Sequence, residues 1–309
     1  MTRVTSTSTT DPAYLSADGM SLTVTPGSGN VNYIYEARYF AWAGSNIYYD
    51  GSKLTFDAAG VTTNEMYQGL FFKWGSLVGI SPVGANTSWN GTSTNSQCVY
   101  VPTGGTGWSQ DYPGEASSPY SSYANWDNIP YISSGTGAYA AGQLAVSISD
   151  ATEANAYNAK TGDICKYLSA TGAVTGKWRL PTSYEFQLEG GTSTSWDNNV
   201  TWAQDGTFSD VTSSTSSSYV NGKFVNSTNN PRAIQSHPNK TSPSRTTSFP
   251  ASGYRTSVGP LFYVGRYGYN WSGSAHSSSV YAMYYSSSNV RSADINNRTS
   301  GYAVRCVRE

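Results

Sequence analysis

A single well-marked helix start does most to constrain what this chain can become. Pro181-Thr182 is followed three positions later by Glu185, the spacing at which the Thr hydroxyl and the Glu carboxylate each accept a hydrogen bond from the other's otherwise orphaned main-chain N–H. Gly190-Gly191 supplies the stop. An Ala-rich stretch from Ala151 to Leu168 is the other helical candidate. In it Asp163 is placed to cap a short turn carrying Cys165 and Leu168 on one face. Outside about 150–190 the sequence offers β-prone, aromatic-rich segments broken by Gly, Pro and Ser. In Val280 to Val290 the odd positions Tyr281, Met283 and Tyr285 are large and apolar, whereas Ala282, Tyr284 and Ser286 vary in character. That period of two predicts a strand with its odd side chains buried and its even side chains toward solvent. Gly301 to Val307 alternates as well. Strands on both sides of a helical middle predict an α+β fold with two helices, antiparallel strands and long loop insertions.

Such a polar sequence needs something to bury. Only 12% of the 309 residues are charged, about half the share in an ordinary globular chain, and Ser, Thr, Asn and Gly fill the difference. The 25 Tyr, 9 Trp and 9 Phe supply the large rings that disordered segments lack, so the chain reads as folded and loop-rich. Residues 1–30 contain one strand-like segment, Ser21 to Thr25, and break at Pro26-Gly27-Ser28-Gly29. They read as an N-terminal arm or the remnant of a preceding β module, with the main domain at 31–309. Tyr33 to Phe56 reads as two or three short strands split at Gly44-Ser45 and Asp50-Gly51. Residues 82–145 read as long loops pinned by Trp108, Tyr112 and Trp126, and Thr192 to Ser248 as a polar excursion punctuated by aromatic residues.

A net charge of −1 gives none of the positive field that nucleic acids or anionic lipids attract, so neither is an expected partner. The apolar runs near Leu70 to Phe72 and Leu77 to Ile80 are too short to span a bilayer, and residues 1–25 carry no signal-peptide core. Membrane insertion is not expected; the chain works without export or its leader is absent. Cys98, Cys165 and Cys306 allow one internal disulfide at most.

HExxH, GxSxG, GxxxxGK[ST], CxxC and EF-hand patterns are all missing, so the residues imply no catalytic group, metal or cofactor. Gly135, Gly137 and Ala140 fit a loosened dinucleotide fingerprint, but no strand leads into them, and they read as loop. His237 and His276 read as lying in polar loops without a nucleophile or carboxylate at a suggestive spacing, which favours a surface role over catalysis. Trp126-Asp127-Asn128 and Trp196-Asp197-Asn198 offer carboxylate-plus-amide pairs of the kind that ligate calcium; a capped aromatic turn is the preferred reading of both.

Trp178 to Phe186, WRLPTSYEF, resembles a signature of the C-type lectin-like fold in the branch shared by formylglycine-generating-enzyme-like domains. Asn297-Arg298 and Gly301 to Arg308 resemble that superfamily's closing strand. Gly69 to Pro82, Gly253-Tyr254-Arg255, Gly265 and Gly268 to Ser272 are similar to segments of its Bacteroidetes-type members. The likeness spans about residues 31–309. It implies that the terminal strand returns beside the first and that Cys165 and Cys306 meet as a disulfide between helix and last strand; two buried free thiols stand as an equal alternative. Independently of the family, Trp178 and Leu180 suit a core position and Arg179 is placed to pair with a buried carboxylate or carbonyl. Formylglycine generation needs a reactive cysteine pair, and with Cys165 and Cys306 in structural positions only Cys98 remains, so an enzyme is not expected.

Residues about 267–298 further resemble the variable region of proteins diversified by retroelements, in which template adenines are randomised. The resemblance implies variable, ligand-binding positions at Tyr269, Asn270, Ala275, His276, Ser277, Ala282, Tyr284, Ser286, Arg291, Ala293, Asp294 and Ile295. The invariant frame would be Trp271, Tyr281, Met283, Tyr285, Asn289, Val290, Arg298 and Gly301. Tyr provides rigid amphipathic contact area and Ser and Asn adaptable hydrogen bonds, as in antibody paratopes. The expected protein is a non-enzymatic recognition protein on a phage particle or a bacterial cell surface, binding a protein or glycan ligand there; a homo-oligomer is compatible with the resemblance. A fixed-sequence adhesion or structural domain of a bacterial surface is the alternative.

Overall fold

A computed structural model describes residues 42–57, 68–82, 88–93, 97–135, 157–186, 249–264, 266–286 and 290–309, together with the backbone of helix residues 187–190 and of the strands at 13–15, 22–24, 201–205, 219–220, 223–224, 233–237 and 247–248. The chain divides into two compact units, Met1–Ala41 and Trp42–Glu309, with the boundary beyond the residue-30 position read from the sequence. In the first unit β1 (Ala13–Leu15) and β2 (Leu22–Val24) pair antiparallel.

The second unit is mixed α+β, built from short and mostly antiparallel strands. β3 (Tyr48–Tyr49) and β4 (Leu54–Thr55) form a hairpin over the expected Asp50-Gly51 turn. Gly51 has φ +105° and Asp50 Oδ1 accepts from Ser52 N and Lys53 N at 2.8 and 2.9 Å. β5 (Gly79–Ile80), β6 (Val99–Gly104) and β7 (Gly107–Asp111) form a three-stranded sheet in that order. Residues 82–145 are thus not loop throughout: Gly104-Gly105, with φ +109° and +53°, makes the β6–β7 turn, a conformation that favours Gly. Trp126-Asp127 is the capped aromatic turn expected, since Asn125 Oδ1 accepts from Asp127 N at 3.0 Å. Trp196-Asp197, Gly137 and Ala140 lie outside the described residues, as do residues 31–41.

Helix α1 (Ile164–Ala170) starts where Asp163 caps it, with Oδ1 accepting from Cys165 N and Lys166 N at 2.9 and 3.2 Å. The other oxygen, Oδ2, accepts from Leu180 N at 2.9 Å, beside β8 (Trp178–Arg179). Helix α2 (Ser183–Gly190) opens with the reciprocal capping box: Thr182 N donates to Glu185 Oε2 at 2.7 Å and Glu185 N to Thr182 Oγ1 at 3.1 Å. Arg179 grips the same carboxylate through both terminal nitrogens, at 2.7 and 2.5 Å.

Within the polar excursion punctuated by aromatic residues lie β9 (Thr201–Asp205), β10 (Tyr219–Val220), β11 (Lys223–Phe224) and β12 (Ala233–His237), followed by β13 (Thr247–Pro250). β12 pairs antiparallel with both β9 and β13, and β10 with β11. β14 (Tyr254–Arg255) pairs with β15 (Leu261–Phe262). β16 (Tyr267–His276), β17 (Ser279–Ser286) and β18 (Val290–Asn296) then form an antiparallel sheet in sequence order, and β19 (Val307–Arg308) returns to β8.

The segment 301–307 runs through the middle of this unit. Tyr302 exchanges main-chain hydrogen bonds with Phe72 at 2.9 and 3.1 Å. On the other side Trp271 N donates to Ala303 O and Ala303 N to Tyr269 O, an isolated parallel bridge beside the antiparallel strand pairs. Ile47 N then donates to Val304 O and Ala43 N to Cys306 O. Cys306 is disulfide-bonded to Cys165 with Cα atoms 5.8 Å apart, while Cys98 stays a buried free thiol. The main core gathers around this segment, with Phe72, Trp74, Trp178, Trp271, Tyr302 and Val304 all buried.

Candidate ligand-binding surface

Directly opposed residues of an antiparallel pair share a face, so the register assigns the paired side chains of the β16–β17–β18 sheet to its two faces. One face carries Tyr267 opposite Ser286, then Tyr269, Tyr284 and Arg291, then Trp271, Ala282 and Asp294, then Ala275, Val280 and Asn296. The other carries Gly268, Tyr285 and Val290, then Asn270 and Met283, and further along Tyr281 with Ile295 and His276 with Ser279. The expected alternation along β17 is present. The expected division into one buried and one solvent face is not.

Each face is covered over half its length, at opposite ends. On the first face, Trp271 stacks on Tyr302 at 4.1 Å and closes over Ala282, which is 0% exposed. On the second, Met283 and Tyr285 pack with Trp42, Phe186 and Phe249, leaving Tyr281 and Ile295 beyond that cover. Irregularities between Trp271 and Ala275 and between Ala282 and Tyr284 interrupt the ladder on both sides of β17, and such bulges sharpen the local twist.

Among the candidate positions, His276, Ser277, Arg291 and Ile295 are exposed and Tyr269, Tyr284, Ala293 and Asp294 half-buried. Asn270, Ala275, Ala282 and Ser286 are corrections: all are buried and offer no side chain to solvent. Asn270 belongs to a polar network beneath the sheet, donating to Asn46 Oδ1 at 3.2 Å and accepting from Tyr285 Oη at 3.0 Å. Of the frame positions, Trp271, Met283, Tyr285, Val290, Arg298 and Gly301 are buried, Tyr281 is half-exposed instead, and Asn289 lies outside the described residues.

The open end of the first face is a cluster of tyrosine rings. Tyr269 lies 5.0 Å from Tyr284 and 4.9 Å from Tyr254, while Tyr267 lies 5.6 Å from Tyr284 and 4.6 Å from Tyr263. From below, Tyr302 stacks on Tyr269 at 4.5 Å. Tyr263 has φ +58°, and its carbonyl accepts from both Arg266 N and Tyr267 N at 3.0 Å, a tight turn that leaves its ring exposed. The Arg266 guanidinium lies over Tyr263 and Tyr267 at 5.6 and 5.3 Å, and Arg291 lies over Tyr284 at 5.7 Å while contacting Asp294 at 3.6 Å. Burial pushes the Tyr254, Tyr269 and Tyr284 hydroxyls above the usual phenol range, so they remain neutral donors at neutral pH.

Tyr254, Tyr263 and Tyr267 were not among the sequence candidates. Their signal was the density of Tyr at 263, 267 and 269; Tyr254 joins from a separate hairpin, β14–β15. Among the described residues no group of three or more His, Cys, Asp or Glu side chains gathers as metal ligands do. His276 is exposed, His237 lies within β12 with its side chain outside the described residues, and burial pushes the Cys98 thiol up. Among the described residues no helix is long and apolar enough to cross a membrane. Comparison with protein-family models, with curated proteins and with solved structures finds no match to this chain.

Proposed function

We propose that this chain is a non-enzymatic recognition protein in which a C-type lectin-like scaffold displays a diversified surface to a protein or glycan on a cell surface. The observation that carries this reading is the cluster of Tyr254, Tyr263, Tyr267, Tyr269 and Tyr284, rigid rings flanked by Arg266 and Arg291. Such rings lose little rotamer entropy on binding and offer both an apolar face and a hydroxyl. A place on a phage particle or a bacterial surface is supported by the Cys165–Cys306 bond, of a kind uncommon in reducing cytoplasm.

A second reading, a fixed-sequence adhesion or structural domain, is favoured by the burial of Asn270, Ala275, Ala282 and Ser286, positions that a freely diversified surface would leave open. The coding DNA separates the two. A neighbouring reverse transcriptase and an imperfect repeat of the segment for residues 267–298, differing at adenines, is expected under the first reading, and its absence supports the second. Whichever holds, the surface itself is tested by Tyr284→Ala combined with Tyr269→Ala, alongside the milder Tyr263→Ala. Binding to arrayed glycans and bacterial surface proteins should fall at least about 100-fold for the pair, as when two central aromatic anchors are lost. Unchanged binding by a folded double variant would refute the assignment of the surface.

A further inference from the structure

We propose that Arg298 is a positioning residue for the tip of the β16–β17 hairpin, holding Ser277 and Ser278 by their main chain so that the side chains around the tip can be exchanged without disturbing the sheet. β16 ends at His276 and β17 begins at Ser279, and His276, Ser277 and Ser278 are exposed. Arg298, only 2% exposed, reaches under this turn. Its Nε donates to Ser278 O at 3.1 Å and its Nη2 to Ser277 O at 2.8 Å, while Nη1 donates to Ile132 O at 3.3 Å and Nη2 also to Gly135 O. Every one of these acceptors is a carbonyl oxygen of the main chain, a group that all residues carry.

The guanidinium is itself seated, 4.6 Å above the Trp74 ring, and Trp74 Nε1 donates to Ser272 O at 2.9 Å. The stacked pair therefore supports the hairpin at two heights without consulting a side chain at either. The opposite end of the sheet is held differently, through the side chains of Asn46, Asn270 and Tyr285. Exchange is thus cheap at 278 and 279, costs at 276 no more than the edge-on contact of its exposed ring with Tyr281 at 5.1 Å, and is costly at 270 and 285. Ser277 is the qualified position: its φ of +51° suits Gly, Asn and Asp and strains β-branched residues. If the sheet binds as proposed above, and only the functional half of this inference rests on that reading, the tip is a second specificity-determining element, separate from the tyrosine cluster.

The experiment uses the full chain, with 276, 278 and 279 varied together in the wild type, in Arg298→Lys and in Arg298→Gln. Thermal midpoints and hydrogen exchange of the tip amides are read, and neither depends on a ligand. In the wild-type background midpoints should spread by less than about 3 °C, the equivalent of a small surface effect; Ser277→Val should fall below that band and Ser277→Gly remain within it. Arg298→Gln should speed exchange at the tip at least about tenfold while the amides of Val304 and Val307 are unchanged, and Arg298→Lys, which lacks the planar fork, should restore protection only in part. If Arg298→Gln does not fold, the Arg298→Lys comparison and the wild-type library decide the matter. Midpoints that scatter as widely as those of core variants, or tip exchange indifferent to residue 298, would overturn the proposal. A failure to bind any ligand would instead count against the recognition reading alone.

Discussion

Gly268→Ala should destabilise the β16–β17–β18 sheet, even though Gly268 does not have the positive φ that would by itself demand glycine. A Cβ there would lie 2.0 Å from the Tyr285 ring, where ordinary contact begins at 3.4 Å. The ring would have to retreat by more than about 1 Å, and it has no room: Tyr285 is 0% exposed, packs edge-on against Phe249 at 6.2 Å, and its one hydroxyl proton lies between two acceptors, Pro250 O at 2.7 Å and Asn270 Oδ1 at 3.0 Å. Overpacking costs roughly 1–3 kcal/mol and each displaced buried hydrogen bond about 1 kcal/mol. The sum is about 2–4 kcal/mol, or a fall in thermal midpoint of roughly 5–15 °C. A double-mutant cycle isolates the cause. Tyr285→Phe keeps the ring carbons that clash, so Gly268→Ala should remain costly in that background; Tyr285→Leu removes them, and there it should cost less than about 1 kcal/mol. Chemical denaturation of the four chains of each cycle measures this. Equal costs of Gly268→Ala with and without the ring would show that the glycine is required for some other reason.

Reduction of the Cys165–Cys306 bond, whose cysteines lie 141 residues apart, releases a loop whose closure is worth up to about 5 kcal/mol in the chain-entropy estimate. Urea midpoints should drop sharply in reductant and in Cys165→Ala with Cys306→Ala, and an unchanged midpoint would contradict a bond that matters to folding. Asp163 is 0% exposed, and its burial outweighs the N–H groups it accepts from, raising its pKa to about 6. The folded chain therefore retains a proton that the unfolded chain releases from about pH 4 upward, so this residue's contribution to stability falls as pH rises from about 4 to 6. Comparing urea midpoints across that range with those of Asp163→Asn should show this slope vanish in the variant. Thr182→Ala should cost about 1 kcal/mol by leaving Glu185 N without its cap, and a loss well under that, measured by denaturation, would mean that tertiary contacts alone fix α2.

Features encoded within a few residues were legible in the sequence. The Thr182–Glu185 capping box, the Asp163 cap and the Asp50-Gly51 turn each depend on side chains meeting main chain two or three positions away, and each is present. The alternation along β17 was equally local. What it could not reveal was which half of each face is covered, because that is decided by residues remote in sequence: Tyr302 and Trp271 close over Ala282, and Phe249 and Trp42 over Tyr285. The β6–β7 hairpin was obscured by its own Gly104-Gly105 turn, which reads equally as loop. Arg298 looked like one member of a closing motif; its grip on Ser277 and Ser278 depends on a hairpin that approaches only in three dimensions.

The central threading of residues 301–307 has a consequence for how errors are screened. Phe72, Ile47, Ala43 and β16 all take main-chain partners from this segment, and Cys165 takes its covalent partner there. A nascent chain therefore cannot complete its core until Cys306 has left the ribosome, however much of the upstream sequence is already synthesised. Any stop codon or frameshift within 267–298 removes this centrepiece along with part of the β16–β17–β18 sheet, so a truncated product should be degraded. A chain ended after Thr299 is expected to be fully digested by protease under conditions in which the whole sequence survives. If that shortened chain resisted digestion, folding would not be acting as the proofreader.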